Sequence, residues 1–146
     1  MRNSSEAVQS HLKQLGMVCF AILMGVVIFC GVVWYLVNPG GFTPLEGLPS
    51  YLPTVLNLVA LVLLLKAHLL PRLLPPPGSG ADEESRLAWH RRNTILAFAL
   101  REGAAIIVLV GILLTGQQTG GFAVVGLALV AMILGWPRLS QLQSGP

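Results

Sequence analysis

The sequence predicts an all-α membrane protein with four transmembrane helices arranged as two hairpins, and three observations lead to this prediction. Four long apolar runs lie between Gly16 and Trp136, and 54% of the residues are hydrophobic. Only 10% are charged, against about 25% in a typical soluble domain. The charges crowd into some of the gaps between the runs and leave the others almost empty. We therefore expect lipid, rather than water, around most of this chain.

The first predicted transmembrane helix, residues 16–37, contains no charged residue and is long enough to cross about 30 Å of hydrocarbon. Its apolar part is longer than that of a secretory signal, and a Pro-Gly turn follows it in place of a cleavage site. We therefore expect a retained helix with Trp34 in the interfacial aromatic belt.

The second predicted transmembrane helix, residues 51–70, has Pro53 in its first turn, where the missing N–H costs little. Pro71 is expected to end it. The linker that follows, residues 71–93, contains the sequence Leu-Pro-Pro-Pro-Gly-Ser-Gly, which favours an extended segment followed by a flexible one. This linker separates the two predicted hairpins.

The third predicted transmembrane helix, residues 94–114, is expected to continue a helix that begins near Ser85. The segment from Asp82 to Ser85 is acidic and can cap a helix N-terminus. The fourth, residues 121–136, is short but sufficient for a helix with little tilt, and Pro137 is expected to end it.

The distribution of basic residues predicts the orientation of the chain. Apart from Lys66 inside the second run and Arg101 inside the third, they lie in the N-terminal tail 1–15, the linker and the C-terminal tail 137–146: Arg2, Lys13, Arg72, Arg86, Arg91, Arg92 and Arg138. The other two gaps, 38–50 and 115–120, contain no Lys or Arg. Because basic residues flank spans on the cytoplasmic side, we expect a multi-pass protein of a bacterial inner membrane, with both termini and the linker cytoplasmic.

Two adjacent charges near the middle of the third run are the main candidates for a functional role. Arg101 and Glu102 lie about 15 Å past Arg92 along the helix. A charge at mid-bilayer costs about 2.5–3.5 kcal/mol and generally marks a function or an ion pair. The two side chains point about 100° apart and cannot pair well with each other, so each needs a partner elsewhere.

Lys66 is the candidate partner of Glu102, because the second and third helices are expected to be antiparallel neighbours. Their side chains lean toward each helix's N-terminus and can meet at one depth. Arg101 is expected to reach the cytoplasmic interface or to bind Asn57, His68 or another subunit. This group is interpreted either as an intramembrane ion pair that fixes packing or docks a partner, or as part of an ion or proton pathway. The arginine beside Glu102 opposes the second interpretation, because it keeps the carboxylate charged.

Small residues four apart are typical of helices that approach each other closely. Three such pairs are Ala21 and Gly25, Ala99 and Gly103, and Ala131 and Gly135, and a seven-residue series comprises Ala97, Ala104 and Gly111. Contacts within the bundle and contacts with other subunits are both compatible with this spacing.

The remaining polar and aromatic residues predict lipid contact rather than chemistry. Trp89, Arg91, Arg92 and Trp136 are expected, with Trp34, to anchor the chain at the interfaces. The histidines lack metal-ligand spacing and the two cysteines are too far apart along one helix for a disulfide. No cofactor, metal or nucleic acid is expected, since there is no basic run of the kind that binds nucleic acid.

The stretch from Leu100 to Gly116, together with the helix end Gly135-Trp136-Pro137-Arg138, resembles small uncharacterised four-helix membrane proteins of bacteria. It is also faintly similar to the proteolipids of rotary ATPases, and that resemblance would make Glu102 a proton carrier. The glycine-repeat helix of proteolipids is missing here, and Arg101 directly precedes the carboxylate, so this function is not adopted.

The sequence therefore predicts a non-catalytic accessory subunit of a larger membrane complex, surrounded by lipid and docked to different subunits through its helices. The alternative is a small oligomeric transporter or ion-conducting protein that uses Glu102 and Arg101. No segment between the apolar runs is long enough to hold a soluble catalytic core.

Overall fold

The computed structural model describes residues 2–38, 43–74, 77, 78, 80 and 82–137, without the side chains of residues 2–8 and 83. Within these residues the chain forms four α-helices and no strand. They are α1 (Arg2–Val37), α2 (Leu52–Leu73), α3 (Glu83–Thr115) and α4 (Gly121–Leu134). The predicted all-α fold with four helices is confirmed. The Pro-Pro pair of the linker and the C-terminal tail from Arg138 onward lie outside the described residues.

Three of the four helices are long and apolar enough to cross a membrane. Their candidate spans are Gln9–Val37, Leu52–Leu73 and Glu84–Thr115. With 14 residues, α4 extends only about 21 Å at 1.5 Å per residue, which is less than the 30 Å of a typical hydrocarbon core. The three apolar helices indicate a membrane protein, and α4 is a shorter apolar helix packed among them.

The N-terminus of α3 is capped by a side chain. Asp82 is the N-cap residue, and its Oδ1 accepts a hydrogen bond from the backbone N–H of Ser85 at 3.3 Å. This satisfies one of the N–H groups that a helix leaves unpaired in its first turn. The helix begins at Glu83, two residues before the position expected from the sequence.

The expectation that Pro71 ends α2 is wrong, because the helix continues through it to Leu73. The N–H that proline lacks falls in the last turn, so only one intrahelical hydrogen bond is lost there. The next bonds still form, and the Leu74 N–H donates to the Leu70 carbonyl at 3.1 Å. At the end of α4, the Gly135 N–H donates to the Ala131 carbonyl at 3.0 Å, so this helix closes before Pro137 is reached.

The central helix of the bundle is α3, which packs against each of the other three. It is antiparallel to α2: Leu56, near the start of α2, meets Gly111 near the end of α3. It is antiparallel to α4 as well, because Gly121 lies against Ile112, at the far end of α3. By contrast, α1 packs mainly on α3 rather than on α2. It runs parallel to α3, because His11 lines a cavity with Leu87 near the start of α3 and Trp34 meets Phe122 at the opposite end of the bundle.

The core lies between α3 and its neighbours and consists almost entirely of apolar side chains. Its largest fully buried members are Phe98, Leu109, Ile112, Met132, Val26, Val33, Val108, Val125 and Cys19. Both cysteines are free thiols, and Cys19 packs inside this core rather than against the surroundings. Most large apolar side chains of α1 and α2 point outward, which is the pattern expected of helices that face lipid or another membrane protein.

Candidate functional site around Arg101 and Glu102

Arg101 points into the bundle and is half-buried. Its Cζ lies 5.7 Å from the centroid of the Phe98 ring, within the range of a cation–π interaction. That ring in turn meets Trp136 edge-on, with the centroids 6.4 Å apart and the planes at 74°. Trp136, predicted as a lipid anchor, therefore also packs on the side chain that supports Arg101.

The guanidinium group of Arg101 lies directly against Gly135, just past the last turn of α4. A helix C-terminus carries about half a negative charge on its unpaired carbonyls, which partly offsets the charge of the arginine. Within the described part of the chain, no carboxylate forms an ion pair with this guanidinium.

Below the end of α4, a cavity of about 320 Å³ opens between α2 and α3. We call it the Arg101 cavity. Its polar lining residues are His68, Trp89, His90, Asn93, Thr94 and Arg101, and Ala67, Ala97 and Phe98 are among its apolar ones. The cavity exists because α4 is too short to cover the whole length of α3. Arg101 and His68, one of its possible partners predicted from the sequence, both line this cavity.

The residues that line the Arg101 cavity include two with buried polar atoms that have no hydrogen-bond partner. The Asn93 side chain is only 6% exposed, and neither its Oδ1 nor its Nδ2 forms a hydrogen bond. The Nε2 atom of His90 is buried and unpartnered as well. Leaving such atoms unpaired costs about 1–3 kcal/mol each, so a group that bonded to them would be stabilised there.

Glu102 lies on a different side of α3 from Arg101 and is half-buried. Among the described residues its carboxylate forms no ion pair or hydrogen bond, and Lys66 is exposed and also unpaired. The structure of the single chain therefore does not bring Lys66 and Glu102 together. The role of these residues in pairing or docking stays a prediction.

The small residues of α3 divide between two faces. Ala97, Ala104 and Gly111 are buried, and a Cβ at Gly111 would come 2.7 Å from Cδ1 of Leu56. This series therefore makes contacts within the bundle, where it lets α2 approach α3 closely.

Ala99 and Gly103 face outward. Ala99 is exposed, and a Cβ at Gly103 would meet no atom within 4 Å. We call this surface the open face of α3; its other members are Leu96, Ile106 and Val110. Glu102 lies beside it, because residues three apart are neighbours on a helix surface. On α1, Ala21 and Gly25 are likewise exposed.

The other predicted interface anchors lie at the two ends of the bundle. Trp34 is 54% exposed, and its ring meets Phe122 of α4 edge-on at 5.3 Å. Trp89 is half-buried in the wall of the Arg101 cavity, and Arg91 and Arg92 are exposed near the start of α3.

Asn93 and His90 are not among the site residues predicted from the sequence, although the spacing of their neighbours indicates a shared face. Intervals of four, three and four residues place four side chains on one face of a helix: His90, Thr94, Ala97 and Arg101. Asn93 lies at the edge of this face. No three His, Cys, Asp or Glu side chains converge anywhere in the described ranges in a way that could hold a metal ion.

Comparison of the chain with protein-family models, with curated proteins and with solved structures finds no match.

Proposed function

We propose that this chain is a non-catalytic accessory subunit of a larger complex in a bacterial inner membrane, and that a transmembrane helix of a different subunit docks on the open face of α3. The observation that carries the proposal is the position of Glu102, an unpaired carboxylate beside an uncovered surface of small residues. The proposal concerns assembly and assigns no chemistry to the chain.

The open face has the features of a helix–helix contact in a membrane. Small residues four apart, here Ala99 and Gly103, let two backbones approach closely, and van der Waals packing then drives association in lipid. Within the chain this surface is uncovered, whereas the neighbouring Ala104 is fully buried against other helices.

Glu102 supplies the specificity of the proposed contact. A carboxylate within a membrane span is costly unless it faces protein or water and finds a partner. Because none of the described side chains provides that partner, we expect a Lys or Arg of the docking helix to supply it. The ion pair would fix the register of the docking helix against α3.

We further propose that all four helices cross the membrane and that both termini face the cytoplasm. The part of α1 around His11, the end of α2 and the start of α3 lie at the same end of the bundle. His11 lines one cavity with Leu87 and Arg91 of α3, and His90 lines another with Pro71 of α2. The exposed Arg91 and Arg92 lie at this end too, which supports its cytoplasmic placement. For α4 to cross, the bilayer would have to be locally thin around it.

The proposal is tested by extracting the native chain in mild detergent and identifying the proteins that co-purify with it. We expect larger, different chains with the wild type and at least about tenfold less of them with Glu102→Gln, since a charged hydrogen bond contributes about 1.5–3 kcal/mol. Glu46→Gln, the same change in an exposed loop, is the matched control and should leave co-purification unchanged. A homo-oligomer whose flux into liposomes is abolished by Glu102→Gln, with assembly intact, would instead support a transporter and contradict the proposal.

A further inference from the structure

We propose that the Arg101 cavity binds a phosphate group carrying a net negative charge, either the headgroup of an anionic phospholipid or free phosphate. This inference uses the inward side of α3 and does not depend on the docking proposed for its open face. It combines a cation, unpartnered buried polar atoms and a cavity in one place.

The first step is the charge of Arg101. The guanidinium is half-buried, carries five N–H donors and forms no ion pair or hydrogen bond with any described residue. The ring of Phe98 and the end of α4 offset only part of this charge. A guanidinium matches the geometry of phosphate oxygens in two parallel hydrogen bonds, so a phosphate is a fitting counter-ion.

The second step is independent of the charge and comes from Asn93. Its side chain is 6% exposed, lines the cavity, and leaves both amide atoms without a partner. The amide nitrogen, which is buried in the wall of the cavity, carries two N–H donors without an acceptor.

The third step is the size and place of the cavity. Its volume of about 320 Å³ is at the lower end of small-molecule sites, which run from about 300 to 1,000 Å³, so a headgroup fits and a large ligand does not. It opens at the end of the bundle that carries Arg91 and Arg92. Basic pockets between helices at a cytoplasmic surface are typical sites for anionic lipid headgroups.

The test uses the purified full chain in a neutral detergent. Native mass spectrometry follows binding of dioleoyl phosphatidylglycerol, with the zwitterionic dioleoyl phosphatidylcholine for comparison, and calorimetry follows binding of sodium phosphate. We expect one retained phosphatidylglycerol, or one bound phosphate, per chain, and at least about tenfold weaker binding in Arg101→Gln. Lys13→Gln, which removes one positive charge from an exposed position that does not line the cavity, should change binding less than twofold.

The two probes distinguish the sources. Retention of phosphatidylglycerol without measurable affinity for inorganic phosphate assigns the site to a lipid, and binding of inorganic phosphate alone assigns it to the free ion. Either result supports the proposal if Arg101→Gln weakens the binding at least about tenfold. The proposal is overturned if neither probe binds, if Arg101→Gln leaves binding unchanged, or if Lys13→Gln weakens binding as much as Arg101→Gln does.

Asn93→Leu keeps the test decisive if Arg101→Gln fails to fold. Replacing an unpaired buried amide with an apolar side chain of similar size removes a desolvation cost. We therefore expect the ligand-free variant to melt at a higher temperature than the wild type and to bind the phosphate probe several-fold more weakly. A lower melting temperature with unchanged binding would show that Asn93 serves packing only and would contradict the site.

Discussion

The guanidinium group of Arg101 lies against Gly135 so closely that a methyl group at this glycine would come 3.0 Å from Cζ of the arginine and closer still to a terminal nitrogen. Two helices that are antiparallel meet at this point, α3 near its middle and α4 at its end. The absence of a side chain at residue 135 therefore determines where the charge of Arg101 lies.

Gly135→Ala is expected to displace the guanidinium of Arg101 without removing its charge. The backbone at Gly135 has φ −83°, which alanine adopts freely. The new methyl group first meets the end of a flexible side chain, that of Arg101, and then the backbone carbonyl oxygen of Ala131 at 3.1 Å. The variant should therefore melt within a few degrees of the wild type while the Arg101 Nε–H resonance shifts and phosphate binding weakens. Gly126→Ala, on the same helix but with no atom within 4 Å of the new methyl group, is the control. An unmoved Arg101 resonance in Gly135→Ala would contradict the close contact.

Gly103 and Ala104 are neighbours in sequence, but replacing each with leucine is expected to affect different properties. One substitution should weaken partner binding and the other should lower stability. Ala104 is fully buried, so Ala104→Leu overpacks the bundle and should lower the free energy of unfolding by about 1–3 kcal/mol. A side chain at Gly103 has open space within the chain, so Gly103→Leu should leave the isolated chain stable and reduce co-purification with partner subunits. Denaturation in detergent and pull-down measure the two effects. A Gly103→Leu chain that binds its partners normally would exclude the open face as the docking surface.

We predict that the hydrogen bond that caps the first turn of α3 depends on pH, because its acceptor, Asp82, precedes the candidate span Glu84–Thr115. Hydrogen bonds from Ser85, chiefly from its side chain, hold the pKa of the Asp82 carboxyl below its ordinary value of 3.8. A lowered folded-state pKa means that the carboxylate stabilises the turn at every pH above 3.8, and that this contribution is lost as the pH falls through the lower folded-state value. The amide shift of Ser85 should thus be constant between about pH 7 and 5 and change only below 3.8. Asp82→Asn, which can still cap the helix, should lack this transition; a transition that persists in it would assign the effect to another group.

The number and type of helices could be predicted from the sequence because long apolar runs are a strong signal. The residues at which the helices begin and end are harder to predict from the sequence. Pro71 indicated the end of a helix, but a proline in the last turn removes only one hydrogen bond, and α2 continues past it. The extension of α1 back to Arg2 was not expected either, because a polar helical segment lacks the apolar signal.

The candidate site was predictable in part, for the same physical reason. Arg101 and Glu102 stand out as charges in an apolar run, but which neighbour each one meets depends on the rotation of α3 against the other helices, and one sequence does not determine that rotation. The Arg101 cavity, which Asn93 and His90 line, forms below the end of α4, a helix of only 14 residues. A polar residue at the edge of a predicted span gives no sequence signal of this kind until the helix packing is known.

We predict that the arginine-bearing segments of the chain face the cytoplasm. The whole of α3, about 50 Å long for its 33 residues, separates Gly78 in the linker from Gln117. Of these two positions, only Gly78 lies between arginine-bearing segments. In a chain with Cys19→Ala and Cys30→Ala, a membrane-impermeant maleimide applied to intact cells should label Gln117→Cys and reach Gly78→Cys only after lysis. Labelling of Gly78→Cys from outside would reverse the orientation and place the Arg101 cavity at the opposite surface, since the cavity and the start of α3 lie at the same end of the bundle.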